Sequence, residues 1–76
     1  MSKYSLVGQD GNAFALMGYT SRALKNEGLR ELVPEMQNKA MSGSYGHLIC
    51  VCADYLDIAN AKAVENGYDE DYDDDF

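Results

Sequence analysis

The chain has 76 residues, 46% of them apolar, with a mean hydropathy of -0.39 and a formal net charge of -7. A chain of this length buries only about 60% of its unfolded surface, which excludes a second domain and disfavours a deep internal cavity. No segment approaches the roughly 18 apolar residues of a membrane span and the first residues lack a signal-peptide core, so we expect a cytoplasmic protein.

The first predicted element is a short strand over residues 3–7, KYSLV, where apolar and polar side chains alternate. The segment GQDGN that follows is a turn signal in which Asp10-Gly11 can supply a positive φ. Asn12 then suits the N-cap of a helix predicted over residues 12–27. That helix should place one stripe on its inner face: Phe14, Met17, Ser21 and Leu24.

A second helix is predicted over residues 31–42, with Pro34 near the first turn, where a helix tolerates it. A third helix should begin at Ser44 as N-cap. It either continues to residues 66–67 or stops near Ala53 and gives way to a short strand over 55–59. We favour the strand, because it would pair with residues 3–7. The predicted fold class is therefore α+β, mostly helical, with a folded domain over 1–66 and an acidic tail over 67–76.

Two stretches resemble a known group of proteins. VGQDGNAFALMG (residues 7–18) and AMSGSYGHLI (residues 40–49) resemble short uncharacterised proteins of tailed bacteriophages and prophages. That group shares a G-x-D-G-N-A-F start and a later S-G-x-Y-x-H-L. The resemblance covers residues 1–58 and implies a phage accessory protein in the host cytoplasm, and it carries no catalytic residue across.

The segment Asp10-Gly11-Asn12 also resembles the start of a calcium loop. Such a loop needs further oxygen ligands and a Glu at its twelfth position, where this chain has Ser21. A turn followed by a helix cap is the favoured interpretation.

His47, Cys50 and Cys52 could suggest a metal site or a nucleophile with its base. Three ligands cannot close a structural zinc site, and these positions spread over a wide arc of a helix. A nucleophilic pair also needs an orienting group and a pocket. We expect both cysteines to be reduced and in the core, and we expect no metal, no cofactor and no enzymatic activity.

Most of the net negative charge lies in the tail. Residues 1–66 hold six Lys and Arg against seven Asp and Glu, whereas residues 67–76 hold six acids and no base. A DNA mimic needs carboxylates spread over a folded face, which this string does not supply. Because the string would repel phosphates, we also expect no direct binding of nucleic acid.

Two interpretations of the tail stay open. A disordered acidic end that only raises solubility is the commoner case. The aromatic rings of Tyr68, Tyr72 and Phe76 favour docking instead, because a tail that only raises solubility does not require them. The end DDDF also resembles the acidic tips of bacterial and phage single-stranded DNA-binding proteins, which implies a tail that is disordered when free and ordered on a basic surface. The expected partner-binding residues are Tyr68, Asp69, Glu70, Asp71, Tyr72, Asp73, Asp74, Asp75 and Phe76.

The leading hypothesis is a non-enzymatic phage accessory protein that binds and modulates a host or phage protein through this tail. The expected partner is a nucleic-acid enzyme with a basic surface. The alternative is a small structural or assembly protein whose helical body self-associates while the tail keeps the product soluble. The sequence identifies neither the partner nor the oligomeric state.

Overall fold

A computed structural model describes residues 2–68 of the chain. Three helices dominate it: α1 (Ala13–Asn26), α2 (Val33–Ala40) and α3 (Tyr45–Glu65), with a 3-10 turn at Arg30–Leu32 before α2. In this part of the chain no helix has the length and apolar content needed to cross a bilayer. Residues 69–76 lie outside the described residues, so the predicted disorder of the tail and its predicted contacts stay predictions.

The ends of α1 agree with the boundaries that the sequence predicts. The side chain of Asn12 accepts the N–H groups of Phe14 (2.9 Å) and Ala15 (3.3 Å), which otherwise lack helical partners. At the other end Gly28 has a φ of 80°, a conformation that disfavours any residue with a Cβ. The N–H groups of Gly28 and Leu29 then bond to carbonyls of the last turn, which completes a Schellman motif.

α3 is one uninterrupted helix of 21 residues, so the strand predicted over 55–59 is wrong. Tyr55, Leu56 and Ala59 lie buried on one face of this helix. Their spacing is that of a helical stripe, because a strand would point Leu56 to the opposite face from Tyr55 and Ala59. The cap at Ser44 starts a helix that nothing interrupts. Over residues 2–68 the fold is therefore helical rather than α+β.

The strand predicted over residues 3–7 does not form either. Tyr4 nevertheless has both backbone groups paired, since its N–H donates to Oδ1 of Asn60 at 2.8 Å and its C=O accepts from Nδ2 of Asn60 at 3.0 Å. One side-chain amide on α3 supplies the donor and the acceptor that a neighbouring strand would offer.

The helices α1 and α3 run in the same direction. Gly11 contacts Tyr45 where the two helices begin, and Glu27 contacts Asn66 where they end. The shorter α2 runs back along α3. The buried side chains that join the three helices include Leu16, Met17, Leu24, Met36, Leu48, Val51, Cys52 and Leu56.

The prediction that both cysteines belong to the core is wrong for one of them. Cys52 is fully buried, whereas Cys50 is exposed. Residues i and i+2 of a helix point about 200° apart, so Cys50 and Cys52 cannot both face the same interior.

Candidate functional site

The acidic tail leaves the body through a tight turn at the end of α3. Gly67 has a φ of 103°, the N–H of Gly67 donates to the carbonyl of Val64 at 3.0 Å, and the N–H of Tyr68 donates to that of Ala63 at 2.8 Å. These two bonds form a second Schellman motif. The backbone of Tyr68 is thereby fixed against the last turn of α3, so the tail starts from a defined point on the body.

Tyr68 is the one predicted partner-binding residue that the structure describes. Its ring is half-buried and packs against the core. The Lys3 ammonium lies 5.8 Å from the centroid of this ring and 5.5 Å from that of Tyr4, within the range of cation–π interactions. Part of the Tyr68 ring therefore already serves the folded body.

A buried carboxylate lies beside Lys3. The side chain of Glu27 is 2% exposed, and its Oε2 accepts from Nζ of Lys3 at 2.8 Å and from the hydroxyl of Tyr4. Its Oε1 accepts from Nδ2 of Asn66 at 3.0 Å. These hydrogen bonds lower the pKa of Glu27 from 4.5 to about 2, and the bond from Lys3 has the largest effect. Burial of the carboxylate opposes the shift. The ionised carboxylate joins the N-terminal segment, α1 and the end of α3.

The pKa values of the two titratable partners of this carboxylate are shifted in the opposite direction. The hydrogen bond to Glu27 raises the pKa of Lys3. Burial raises the pKa of the Tyr4 hydroxyl, and the hydrogen bond to Glu27 raises it further. Both groups therefore keep their protons at neutral pH, and the cluster pairs one ammonium with one carboxylate at the base of the tail.

Lys3 and Glu27 are not among the functional residues predicted from the sequence. One signal of their role is present, because Glu27 stands at the C-cap of α1, where the helix dipole disfavours an acid. An acid in that position indicates a tertiary partner that offsets the unfavourable dipole.

The turn between α2 and α3 is built around His47. Its Nε2 lies 2.8 Å from the carbonyl oxygen of Lys39 and 3.3 Å from Oγ of Ser42. A Cβ added to Gly43 would lie 2.8 Å from the imidazole ring. The His47 ring thus caps the end of α2. This contact supports a structural role for His47 in preference to a role as a base that activates Cys50. Within residues 2–68 no cluster of three or more His, Cys, Asp or Glu side chains could hold a metal ion.

The stretches 7–18 and 40–49 meet at one end of the molecule. The hydroxyl of Tyr45 donates to the carbonyl of Gly11, which ties the loop before α1 to the first turn of α3. The carboxylate of Asp10 accepts the N–H of Asn12 at 3.0 Å, which orders the approach to the cap. Several of the motif residues therefore have contacts that explain them through folding alone.

An apolar groove opens where these stretches meet, with a cavity volume of about 290 Å³. We call it the N-terminal groove, and its large lining side chains are Phe14, Met17, Met41, Tyr45 and Leu48. Phe14 is 74% exposed, Met41 65% and Tyr45 49%. The prediction that Phe14 lies on the inner face of α1 is wrong, because the first turn of this helix faces the groove instead of the packed interior.

A second cavity of about 330 Å³ lies between residues 2–7 and α3. It is lined by Tyr4, Leu6 and Val7 on one side and by Leu56, Asp57 and Asn60 on the other. The described lining contains one carboxylate, that of Asp57, and no basic side chain.

Comparisons with family models, curated proteins and solved structures found no match for this chain. The resemblance to small phage proteins rests on the stretches 7–18 and 40–49 and stays a prediction. The function is therefore inferred from the residues and their contacts.

Proposed function

We propose that this protein is a non-enzymatic phage accessory protein that binds and modulates a host or phage protein through its acidic tail. The proposed partner is a nucleic-acid enzyme with a basic surface. The observation that carries the proposal is the division of charge: residues 1–66 hold six basic and seven acidic side chains, and residues 67–76 hold six acids alone.

The body offers a partner little unbalanced charge. Lys3 is paired with Glu27 at 2.8 Å, and Lys62 lies 3.5 Å from Glu65. The six carboxylates of the tail are therefore the main source of an electrostatic field. Such a field speeds the encounter with a basic surface, and salt weakens it.

The aromatic rings of the tail supply a second kind of contact. Tyr72 and Phe76 follow Tyr68 at four-residue intervals. A ring buried in a pocket contributes affinity that salt does not screen, whereas a carboxylate at the rim acts mainly on the encounter. We assign Tyr68 a different role, since its ring packs against the body beside Lys3: it anchors the point from which the tail reaches out.

The contacts within the body support binding rather than catalysis. His47, the one histidine of the chain, lies against the carbonyl of Lys39, and Cys50 stands on an exposed helix face. A catalytic base must instead be free to reach a substrate proton. These contacts therefore favour a body that serves as the attachment point of the tail.

Affinity capture from host and infected-cell lysates tests this proposal with three forms of the full chain. The first is wild type. The second is Tyr72→Ser with Phe76→Ser, which keeps every charge. The third shuffles the order of residues 69–76, which keeps both charge and composition. We expect wild type to retain one basic protein that both variants lose. Equal retention by all three forms would overturn the proposal, because a simple polyanion would explain it.

A further inference from the structure

The N-terminal groove lies at the opposite end of α3 from the tail. Single exposed apolar side chains are ordinary on protein surfaces. Here Phe14, Met41 and Tyr45 line one cavity and are all largely exposed, which is typical of a binding site. We propose that this groove binds the ring of Phe76 from the acidic tail of a second copy of this chain.

The size of the groove favours the insertion of one side chain, because the groove is too small to form a stable interface with the surface of a whole subunit. Three partly exposed side chains offer roughly 300 to 450 Å², well below the roughly 800 Å² per partner of a stable two-fold interface. A single aromatic ring needs to bury only about 150 to 250 Å². A cavity of about 290 Å³ has room for such a ring.

The geometry favours a second copy over the tail of the same copy. α3 has 21 residues and a length of about 31 Å, with Tyr45 at its start and Tyr68 beyond its end. The eight residues that lead from Tyr68 to Phe76 span at most about 26 to 29 Å when fully extended. Phe76 could reach its own groove only with no slack in the tail, which is the arrangement of highest entropic cost. A tail from another copy has no such restriction.

The charge around the groove is compatible with an acidic segment. α1 and α3 both begin here and run in parallel, so the positive ends of two helix dipoles lie at the same side. Neither helix has an acid in its first turn. The preceding acid, Asp10, accepts the N–H of Asn12 and does not line the groove. Carboxylates that precede Phe76 in the tail would therefore lie against two favourable helix ends.

Pairing of this kind is head-to-tail. Each copy carries one groove and one tail, so a pair joined by a single contact has a free groove on one copy and a free tail on the other, whereas reciprocal insertion of both tails closes a two-fold dimer. The inference rests on the premise of the proposed function that the tail docks through its rings, and it adds a receiving surface within the same chain. It also predicts competition, since Phe76 held in a neighbouring groove is not available to another partner.

Two full-length variants separate the groove from the tail. Met41→Glu places a charge in the groove at an exposed position, and Phe76→Ser removes the ring. In sedimentation velocity up to millimolar protein, we expect wild type to self-associate and each variant alone to associate about tenfold to hundredfold more weakly. A mixture of the two variants should form a one-to-one pair, because it contains one intact groove and one intact tail. The control Val64→Glu alters an exposed apolar residue of α3 away from the groove and should behave as wild type.

Methyl NMR locates the contact. In Phe76→Ser with labelled methionine methyl groups, addition of unlabelled Met41→Glu should shift the signal of Met41 and leave that of the buried Met36 unchanged. A wild-type chain that stays monomeric, or self-association that persists in Met41→Glu, would overturn the inference. Capture of the external partner should survive in Met41→Glu, so failure of this inference is distinguishable from failure of the proposed function.

Discussion

Tyr4 and Asn60 pair as residues of two neighbouring strands would, although Asn60 belongs to a helix. The N–H of Tyr4 donates to Oδ1 of Asn60 at 2.8 Å, and Nδ2 of Asn60 donates to the carbonyl of Tyr4 at 3.0 Å. The two residues are 56 positions apart, so one side-chain amide attaches the N-terminal segment to α3. This attachment brings Lys3 and Tyr4 to Glu27 at the base of the tail.

Removal of that amide should loosen the N-terminal segment. We expect Asn60→Ala to lower the free energy of unfolding by about 1 to 3 kcal/mol, because the backbone N–H and C=O of the buried Tyr4 lose their partners. Urea denaturation measures the change, and hydrogen exchange at the Tyr4 amide should accelerate. Asn38→Ala, at an exposed position of α2, is the matched control and should change stability by no more than about 0.5 kcal/mol. Equal effects of the two substitutions would contradict the role of Asn60.

The Glu27 cluster should make stability depend on pH in the acid range. The pKa of Glu27 is lowered in the folded protein from 4.5 to about 2, so the unfolded chain takes up this proton first as the pH falls. The stability that the ionised carboxylate contributes is therefore present above about pH 4.5 and is lost between that pH and about pH 2. Glu27→Gln should lower stability at neutral pH and flatten this part of the profile.

Urea midpoints between neutral pH and about pH 3 check this expectation, with Glu31→Gln at an exposed site as the control. If Glu27→Gln keeps the wild-type slope over this range, the hydrogen bonds from Lys3, Tyr4 and Asn66 do not have the effect assigned to them.

Two glycines near the turn between α2 and α3 should change stability in opposite directions when each is replaced by alanine. Gly43→Ala would place a Cβ 2.8 Å from the His47 ring, which must then shift from the Lys39 carbonyl, so we expect a loss of about 1 to 2 kcal/mol. Gly46→Ala lies in the first turn of α3 with no close neighbour, and it should stabilise the helix by up to about 1 kcal/mol. Thermal unfolding of both variants gives the comparison.

The double variant Gly43→Ala with His47→Ala isolates the cause. Because the ring is then absent, adding the Gly43 substitution to His47→Ala should cost much less than adding it to wild type. An unchanged cost would show that the backbone at residue 43 or the Cβ of residue 47, which lies 3.1 Å away, requires glycine rather than contact with the ring.

The two cysteines should differ in their reaction with alkylating reagents. Cys50 is exposed and should be labelled in the folded protein, whereas Cys52 is fully buried and should be labelled only when the structure opens. Peptide mass spectrometry after brief iodoacetamide treatment distinguishes the sites. Equal labelling rates without denaturant would contradict the packing of α3, and addition of urea should bring the two rates together.

Both ends of α1 and the start of α3 could be predicted because they depend on local chemistry. Asn12 and Ser44 are side-chain caps, and Gly28 adopts the positive φ that ends a helix. Gly67 ends α3 in the same way, at the boundary that was the alternative to a stop near Ala53. The prediction failed over residues 55–59, because a partner for residues 3–7 was given more weight than the helical spacing of Tyr55, Leu56 and Ala59. No sequence pattern shows that the side chain of Asn60 replaces a partner strand, because that contact joins distant parts of the chain.

The candidate sites divide in the same way. Composition alone identifies the acidic tail, since six acids without a base are visible in the sequence. The N-terminal groove depends on tertiary packing, because Phe14 has the spacing of a core residue and only the arrangement of the helices leaves it exposed. The Glu27 cluster likewise needs the fold to bring Lys3 and Asn66 to one carboxylate.

The acidic tail should use ring and charge for different steps of binding. Loss of the Phe76 ring removes buried apolar contact, which should cost on the order of 1.5 to 3 kcal/mol, or roughly tenfold to a hundredfold in affinity. Asp73→Asn with Asp74→Asn should instead slow association and flatten its dependence on salt, with a smaller effect on dissociation.

The deciding measurement is the binding kinetics of the captured partner to wild type, to Phe76→Ala and to the Asp73→Asn, Asp74→Asn variant at two salt concentrations. We predict that Phe76→Ala dissociates faster at both salt concentrations, while the charge variant associates more slowly mainly at low salt. Wild-type binding by Phe76→Ala together with weakened binding by the charge variant alone would show that the tail acts only as a polyanion, and it would contradict docking through the ring.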